Sequence, residues 1–255
     1  MGTLSVERHT AGLIEVTEDF AAITAGIDPG RRVPTCPDWT LHDLVEHVGN
    51  AHHWTSELVR SRTTDFPSHP RPSARIDPAM WTPWLREGAA SMADATEATG
   101  PGTVVWTFLG PLPAAFWVRR ILHDTLVHLA DAAVTADRPF TVPRDLAADT
   151  LGEGLELLTH PAVARVNPAR HAELSGNGET LLLRADDVED GWLITRTPDG
   201  PAWRRGDAGA DVVLSGPVAD VLRVFSRRLP PDDPAVKVTG ERALLDHWLA
   251  HTAFA

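Results

Sequence analysis

The sequence is poor in residues that several classes of protein require. Among its 255 residues there is one cysteine, Cys36, one lysine, Lys237, and no tyrosine. A single cysteine cannot form a disulfide within the chain, which fits a reducing compartment, so we expect a cytoplasmic protein. No apolar run approaches the roughly 20 residues that cross a membrane, and the N-terminus lacks the basic and apolar segments of a secretory signal.

Positive charge is also scarce. Lys and Arg together number 23 against 35 Asp and Glu, which gives a formal net charge of -12 at pH 7. Because nucleic acids and anionic lipids are bound by clustered cations, this excess of acid argues against either as the main partner. The hydrophobic content of 43% is ordinary for a globular protein, and the length allows one large domain or two modest ones.

The first 160 residues carry the apolar spacing of helices, with apolar side chains three and four positions apart. The second helix has a clear start, because Thr40 is a good N-cap and Asp43 approximates a capping box. The predicted helices span residues 6–27, 40–62, 77–98, 114–136 and 143–159, with a loop at 63–78 and a short extended run at 103–108.

The pattern changes after about residue 160 to short apolar runs separated by turns, which is typical of strands. Strands are predicted at 179–185, at 191–196, around Trp203, at 211–215 and at 236–238, and helices at 217–226 and 241–251. We therefore predict two domains, a helical one over residues 1–162 and a small α+β domain over residues 170–255.

Two of the predicted helices carry side chains that bind metals. Asp124 and His128 are four positions apart on the fourth helix, so both project from one face. His47 lies on the second helix, and an antiparallel bundle can bring facing side chains of two helices together. Two imidazoles and one carboxylate suit Zn²⁺, or less specifically Fe²⁺ or Ni²⁺, and leave a coordination position open. The same spacing also fits a plain ion pair, and it does not exclude the neighbouring Glu46 and His123.

Two segments resemble the signatures of a known family. The stretch Thr35-Cys36-Pro37-Asp38-Trp39-Thr40, with the helix that follows as far as His47, is similar to the opening signature of the mycothiol-dependent maleylpyruvate isomerase family. In that family the helix after this loop supplies the first metal histidine. The stretch from His123 to Asp131 resembles the second signature, in which an acidic residue and a histidine four positions apart complete a zinc site. The resemblance covers nearly the whole chain and implies a DinB-like four-helix bundle followed by a small C-terminal α+β domain.

The resemblance implies that His47, Asp124 and His128 hold Zn²⁺ or another divalent metal and act in catalysis through it. The family places mycothiol, the low-molecular-weight thiol of actinobacteria, in the open position, where the metal makes it a thiolate nucleophile. Addition to an electrophilic carbon, bond rotation and loss of the thiol give cis–trans isomerisation, whereas release of the adduct gives S-transfer. The candidates for recognising the substrate anion and the thiol are Arg75, Arg119, Arg120, Arg227 and Arg228, and of these Arg227 and Arg228 are assigned to the thiol. The aromatic residues that could line a cleft are Trp39, Trp54 and Trp106.

One departure from the family keeps other functions open. Asp124 stands where the family usually has Glu, and its side chain is one methylene shorter. This favours a non-catalytic binding protein as one alternative, and a thiol-independent biosynthetic enzyme on the same scaffold is another. The preferred prediction is a mycothiol-dependent isomerase or thiol S-transferase. It would act on small molecules as a monomer or homodimer, with no nucleic-acid or membrane partner.

Overall fold

The structure is a computed structural model that describes residues 4–66, 75–189 and 191–252. The chain divides into two compact units, one from Leu4 to Thr141 and one from Val142 onward. The first is helical and the second contains a mixed sheet, so the predicted fold class is confirmed. Part of the loop predicted at 63–78 lies outside the described residues. None of the helices in the described ranges is long and apolar enough to cross a membrane.

Long helices form the N-terminal unit, and their apolar faces meet in one core. Helix α1 packs against α4, and α2 packs against α3. Leu13, Leu44, Met92 and Leu126, one from each helix, are fully buried. Two short antiparallel hairpins join the helices. The elements are α1 (Val6–Thr24), β1 (Arg32–Val33), β2 (Cys36–Thr40), α2 (Leu41–Ser61), α3 (Trp81–Thr99), β3 (Val104–Val105), β4 (Leu112–Pro113) and α4 (Ala115–Thr135).

The start of α2 follows the sequence signal. The Thr40 side chain accepts a hydrogen bond from the Asp43 backbone N–H, and the Asp43 carboxylate accepts one from the Thr40 backbone N–H at 2.8 Å. This reciprocal capping box confirms the predicted N-terminus and fixes the direction in which the Cys36–Thr40 segment enters the helix. Helix α1 ends three residues before the predicted position, because Ala25 is extended and Gly26 has a φ of 74°.

The C-terminal unit is built on a sheet whose strand order is β7-β6-β5-β8-β9 in the described residues. Strands β5 and β8 run parallel, and the other neighbours are antiparallel. Helix α8 packs on β5 and β8 through an apolar face. The elements are α5 (Arg144–Thr159), α6 (Pro161–Val166), α7 (Pro168–Leu174), β5 (Thr180–Ala185), β6 (Trp192–Thr197), β7 (Gly200–Arg205), β8 (Val212–Gly216), α8 (Val218–Phe225), β9 (Lys237–Gly240) and α9 (Arg242–His251).

The division between the units differs from the boundary predicted between residues 162 and 170. Helix α5 belongs to the second unit, where it packs against α8 and β7. A Cβ atom at Gly154 would lie 2.7 Å from the Phe225 ring, so the small residue permits this close packing. The predicted boundary region instead holds the short helices α6 and α7, which begin at Pro161 and Pro168.

Candidate metal centre

Three side chains of the N-terminal unit converge between α2 and α4. His47 Nε2 lies 3.5 Å from Asp124 Oδ2, and His128 Nε2 lies 3.9 Å from the same oxygen. The two imidazole rings are 4.8 Å apart between centroids and nearly perpendicular. The three residues thus form a group whose potential ligand atoms all lie within 4.8 Å of one another. The structure brings together the three residues that the sequence singled out.

The spacing of these atoms suits a tetrahedral ion. Bonds of 2.0–2.1 Å at tetrahedral angles separate two ligand atoms by about 3.3 Å. The observed 3.5 and 3.9 Å exceed that value by about 0.2 and 0.6 Å. The shorter side chain of Asp124 therefore reaches the position between the imidazoles. The residues fit a divalent metal such as zinc, with a fourth position left for another ligand.

A second carboxylate, Asp131, fixes the orientation of His128. Its Oδ2 accepts a hydrogen bond from His128 Nδ1 at 2.8 Å, so Nδ1 carries the proton and Nε2 keeps a lone pair for a metal. Asp131 is fully buried, and its Oδ1 also accepts a hydrogen bond from Thr35 Oγ1 at 2.5 Å. Cys36 Sγ lies 3.9 Å from Oδ2. Asp131 thus connects the β1–β2 hairpin to α4, the helix that carries two of the three potential metal ligands.

The indole of Trp39 lies against both histidines. Its ring centroid is 4.9 Å from that of His47 and 5.8 Å from that of His128. The capping box at Thr40 holds the neighbouring residue at the start of α2, which places Trp39 at the edge of the site. The side chains of His47 and Asp124 are each 31% exposed and that of His128 is 10% exposed, so small molecules can reach the group.

Arg120 contacts the other oxygen of Asp124. The residues are four apart on α4, and Arg120 Nη2 donates to Asp124 Oδ1 at 3.2 Å. Burial alone would raise the pKa of Asp124. In the metal-free site, a hydrogen bond from His47, the positive charge of His128 when it is protonated and the charge of Arg120 together outweigh this effect and hold the pKa well below its usual range. Asp124 is therefore a carboxylate at neutral pH, the form in which it can bind a metal.

Two family models match the sequence of this structure. The model of the mycothiol maleylpyruvate isomerase N-terminal domain matches residues 13–133, and that of the MDMPI C-terminal domain matches residues 145–247. The chain belongs to the mycothiol maleylpyruvate isomerase family. This confirms the family recognised from the two signatures. Of the two predicted enzyme classes, isomerase and thiol S-transferase, isomerase is the class of this family. The interval between the matches contains the division of the compact units at Thr141.

Two solved structures share the fold of this family member. A crystal structure of the mycothiol-dependent maleylpyruvate isomerase has 18% sequence identity and a TM-score of 0.64, with 94% of this chain and 97% of that chain covered. A histidine-to-alanine mutant of the mycothiol-dependent maleylpyruvate isomerase gives 17% identity and a TM-score of 0.62 at the same coverage. At such identities the likeness shows a common fold. No curated protein matches the chain.

The remaining residues predicted for the isomerase site lie in varied surroundings. Arg75 is exposed and Arg119 is half-buried on α4. Trp54 packs edge to face against Trp106 and Trp117, and Trp106 stacks on Trp117, so both predicted residues belong to an aromatic cluster. Arg227 and Arg228 follow α8 in the C-terminal unit, and their role toward the thiol stays a prediction.

The sequence left Glu46 and His123 open as alternative metal ligands. Glu46 accepts a hydrogen bond from the Ile76 backbone N–H, and the fully buried His123 contacts His9 edge to face.

The C-terminal unit holds another histidine group. His247 and His251 are four apart on α9, and their Nε2 atoms lie 3.9 and 3.8 Å from Glu173 Oε2 on α7. His247 Nε2 already donates to the Glu173 carbonyl oxygen at 2.8 Å, and Arg196 Nη2 is 3.4 Å from the same nitrogen. These bonds join α7 to α9, so the group between α2 and α4 is the better metal centre.

A further histidine, His52, lies five positions after His47 on α2 and is fully buried. Its Nε2 donates to Thr125 Oγ1 at 2.8 Å, because that hydroxyl donates its own proton to the Ile121 carbonyl. Burial lowers the pKa of His52 to about 4, against the partial opposing effect of the Asp124 charge. His52 is therefore a neutral residue of the core beside the metal-type group.

Acid should destabilise the metal-free protein through His52. The unfolded chain binds a proton near pH 6.5 that the folded chain accepts only near pH 4, so stability is lost as the pH falls through this window. The shift corresponds to about 3 kcal/mol of unfolding free energy. Urea unfolding of the chelated protein at several pH values measures it. Over this pH range the His52→Gln variant, which keeps a hydrogen-bond donor toward Thr125, should lose correspondingly less unfolding free energy than the wild type. Equal losses in the two proteins would contradict the assignment.

Proposed function

We propose that this protein is a zinc- and mycothiol-dependent isomerase that interconverts cis and trans forms of a small unsaturated acid related to maleylpyruvate. The observation that carries the proposal is the convergence of His47, Asp124 and His128 at distances that fit a tetrahedral ion, in a chain of this family. Three protein ligands leave one position open, which is the arrangement of catalytic rather than structural zinc sites.

The protein side chains hold and orient the parts of the site. His47 and His128 present their Nε2 atoms and Asp124 presents Oδ2, while Asp131 keeps the proton of His128 on Nδ1. When bound, the metal lowers the pKa of a thiol in the open position and supplies a thiolate nucleophile at neutral pH. The indole of Trp39 covers one side of the two imidazoles and limits the access of water.

Isomerisation follows from reversible addition of the thiol. The thiolate sulfur forms a bond to one carbon of the cis double bond, which becomes a single bond as the electron pair moves to the conjugated carbonyl oxygen. Rotation about that single bond precedes the return of the electron pair, which expels the thiolate and leaves the trans double bond. The thiol is regenerated, so no oxidant or reductant is consumed. An acidic substrate needs cationic recognition, for which arginines are suited, and Arg227 and Arg228 remain the residues predicted for the thiol.

The test is the isomerisation of maleylpyruvate by the zinc-loaded protein, with and without mycothiol. We expect turnover only when both are present, loss of turnover on removal of the metal by a chelator, and recovery on addition of Zn²⁺. Turnover without a thiol would replace the proposal by the thiol-independent enzyme. A stable thioether product detected by mass spectrometry would replace it by S-transfer. Metal-loaded protein without any turnover or adduct would favour the non-catalytic binding protein.

A further inference from the structure

The two oxygens of Asp124 have different partners. Oδ2 faces the Nε2 atoms of His47 and His128, whereas Oδ1 accepts a hydrogen bond from Arg120 at 3.2 Å. The side chains of Arg120 and Asp124 are 18% and 31% exposed, so solvent screens their interaction less than that of a surface pair. Arg120 therefore contacts the oxygen that points away from the imidazoles, and Oδ2 is the oxygen that Asp124 presents between them.

Arg120 also changes the charge of the site. The charged side chains in contact with the three ligands include Asp131, hydrogen-bonded to His128, and Arg120, hydrogen-bonded to Asp124. The guanidinium of Arg120 therefore places one positive charge beside the carboxylate that faces the imidazoles. This charge opposes the binding of a divalent ion and favours an anionic fourth ligand over a neutral one.

We propose that Arg120 is a positioning residue that makes Asp124 a one-oxygen ligand and sets the charge of the site so that it selects an anionic fourth ligand, a thiolate. This inference rests on the proposed function. A guanidinium suits the task because its planar fork keeps a fixed direction toward a carboxylate oxygen and stays charged at every physiological pH. The positive charge of Arg120 weakens the binding of the metal cation and strengthens the binding of the thiolate.

The test measures the binding of a metal and the ionisation of a bound thiol, and it does not depend on turnover. The Co²⁺-loaded protein is titrated with pH in the presence of 2-mercaptoethanol, a small thiol that needs no mycothiol recognition, and the near-ultraviolet thiolate-to-cobalt band is recorded. In Arg120→Gln the midpoint of thiolate formation should rise by about one pH unit, and the dissociation constant of the metal should fall up to about tenfold, as expected for a unit charge at this range. Arg120→Lys, which keeps the charge, should leave the midpoint near that of the wild type.

A matched control is Arg119→Gln, which removes one positive charge from the neighbouring position, about 100° around the helix from Arg120. It should shift the midpoint far less than Arg120→Gln. Equal midpoints in the wild type and Arg120→Gln would overturn the inference, as would equal shifts in Arg120→Gln and Arg120→Lys. Thermal unfolding of the metal-free variants shows whether each is folded. If the wild type itself binds no Co²⁺, the proposed function fails; if it forms the thiolate band and Arg120→Gln behaves identically, only the role of Arg120 fails.

Discussion

Replacing His47 with alanine should reduce thiol-dependent isomerisation by at least about 100-fold. His47 is the potential metal ligand that α2 contributes, and its Nε2 lies 3.5 Å from Asp124 Oδ2. Without it, the two remaining side chains both come from α4, and an ion would lose a ligand that fixes its position between the helices. The rate is measured with saturating mycothiol and added Zn²⁺, so that a change of occupancy is separated from a change of the chemical step.

The control for this prediction is His42→Ala on the same helix. His42 pairs with Glu46 at 3.0 Å and contacts the Trp81 ring, outside the group of three. Its variant should keep most of the thiol-dependent rate. Circular dichroism and thermal unfolding establish that both variants fold. A His47→Ala variant with the wild-type rate would show that α2 does not contribute to catalysis in the way described.

Replacing Asp131 with asparagine should weaken zinc binding by about 10- to 100-fold, the usual cost of removing the group that orients a metal-binding histidine. The Asp131 carboxylate accepts the Nδ1 proton of His128, and an amide can present its NH₂ group there instead. Competition with a chromophoric chelator measures the dissociation constant.

Thr35→Val provides the comparison for Asp131→Asn. It removes the hydrogen bond from Thr35 Oγ1 to Asp131 Oδ1 and leaves the His128 contact in place. We expect a smaller effect on zinc affinity than that of Asp131→Asn. Because Asp131 is fully buried, the stability of each metal-free variant is measured in parallel. Asp131→Asn with a zinc affinity within twofold of the wild type would mean that His128 is oriented by other contacts.

Local signals in the sequence predicted much of the fold. The capping box of Thr40 and Asp43 and the apolar spacing of α2 and α4 depend on neighbouring residues, so their helices were placed within a few positions. Strand β3 lies within the extended run predicted at 103–108, whereas the β1–β2 hairpin was not predicted, because β1 has only two residues and Pro37 interrupts the pattern of β2. The membership of α5 in the second unit depends on its packing with Phe225, which is distant in sequence.

The candidate site, like the fold, could be predicted from the sequence as far as local spacing and the family signatures reach. The spacing of Asp124 and His128 and the family signature indicated the group of three before the structure showed its geometry. Asp131 follows His128 by three positions, a helical spacing that could have drawn attention to it. Its bond to Thr35 joins residues 96 positions apart, and no local pattern predicts such a contact. The fully buried state of His52 was likewise set by the packing of α2 against neighbouring helices.

The most direct test of a metal centre between α2 and α4 is the zinc content of the protein purified without chelators, measured by plasma mass spectrometry beside the Asp124→Ala, His128→Ala double variant. The account predicts close to one zinc per chain in the wild type and almost none in the double variant, with both proteins folded. A wild type that stays free of metal even after incubation with Zn²⁺ would contradict it. Equal zinc in both proteins would place the metal elsewhere in the chain.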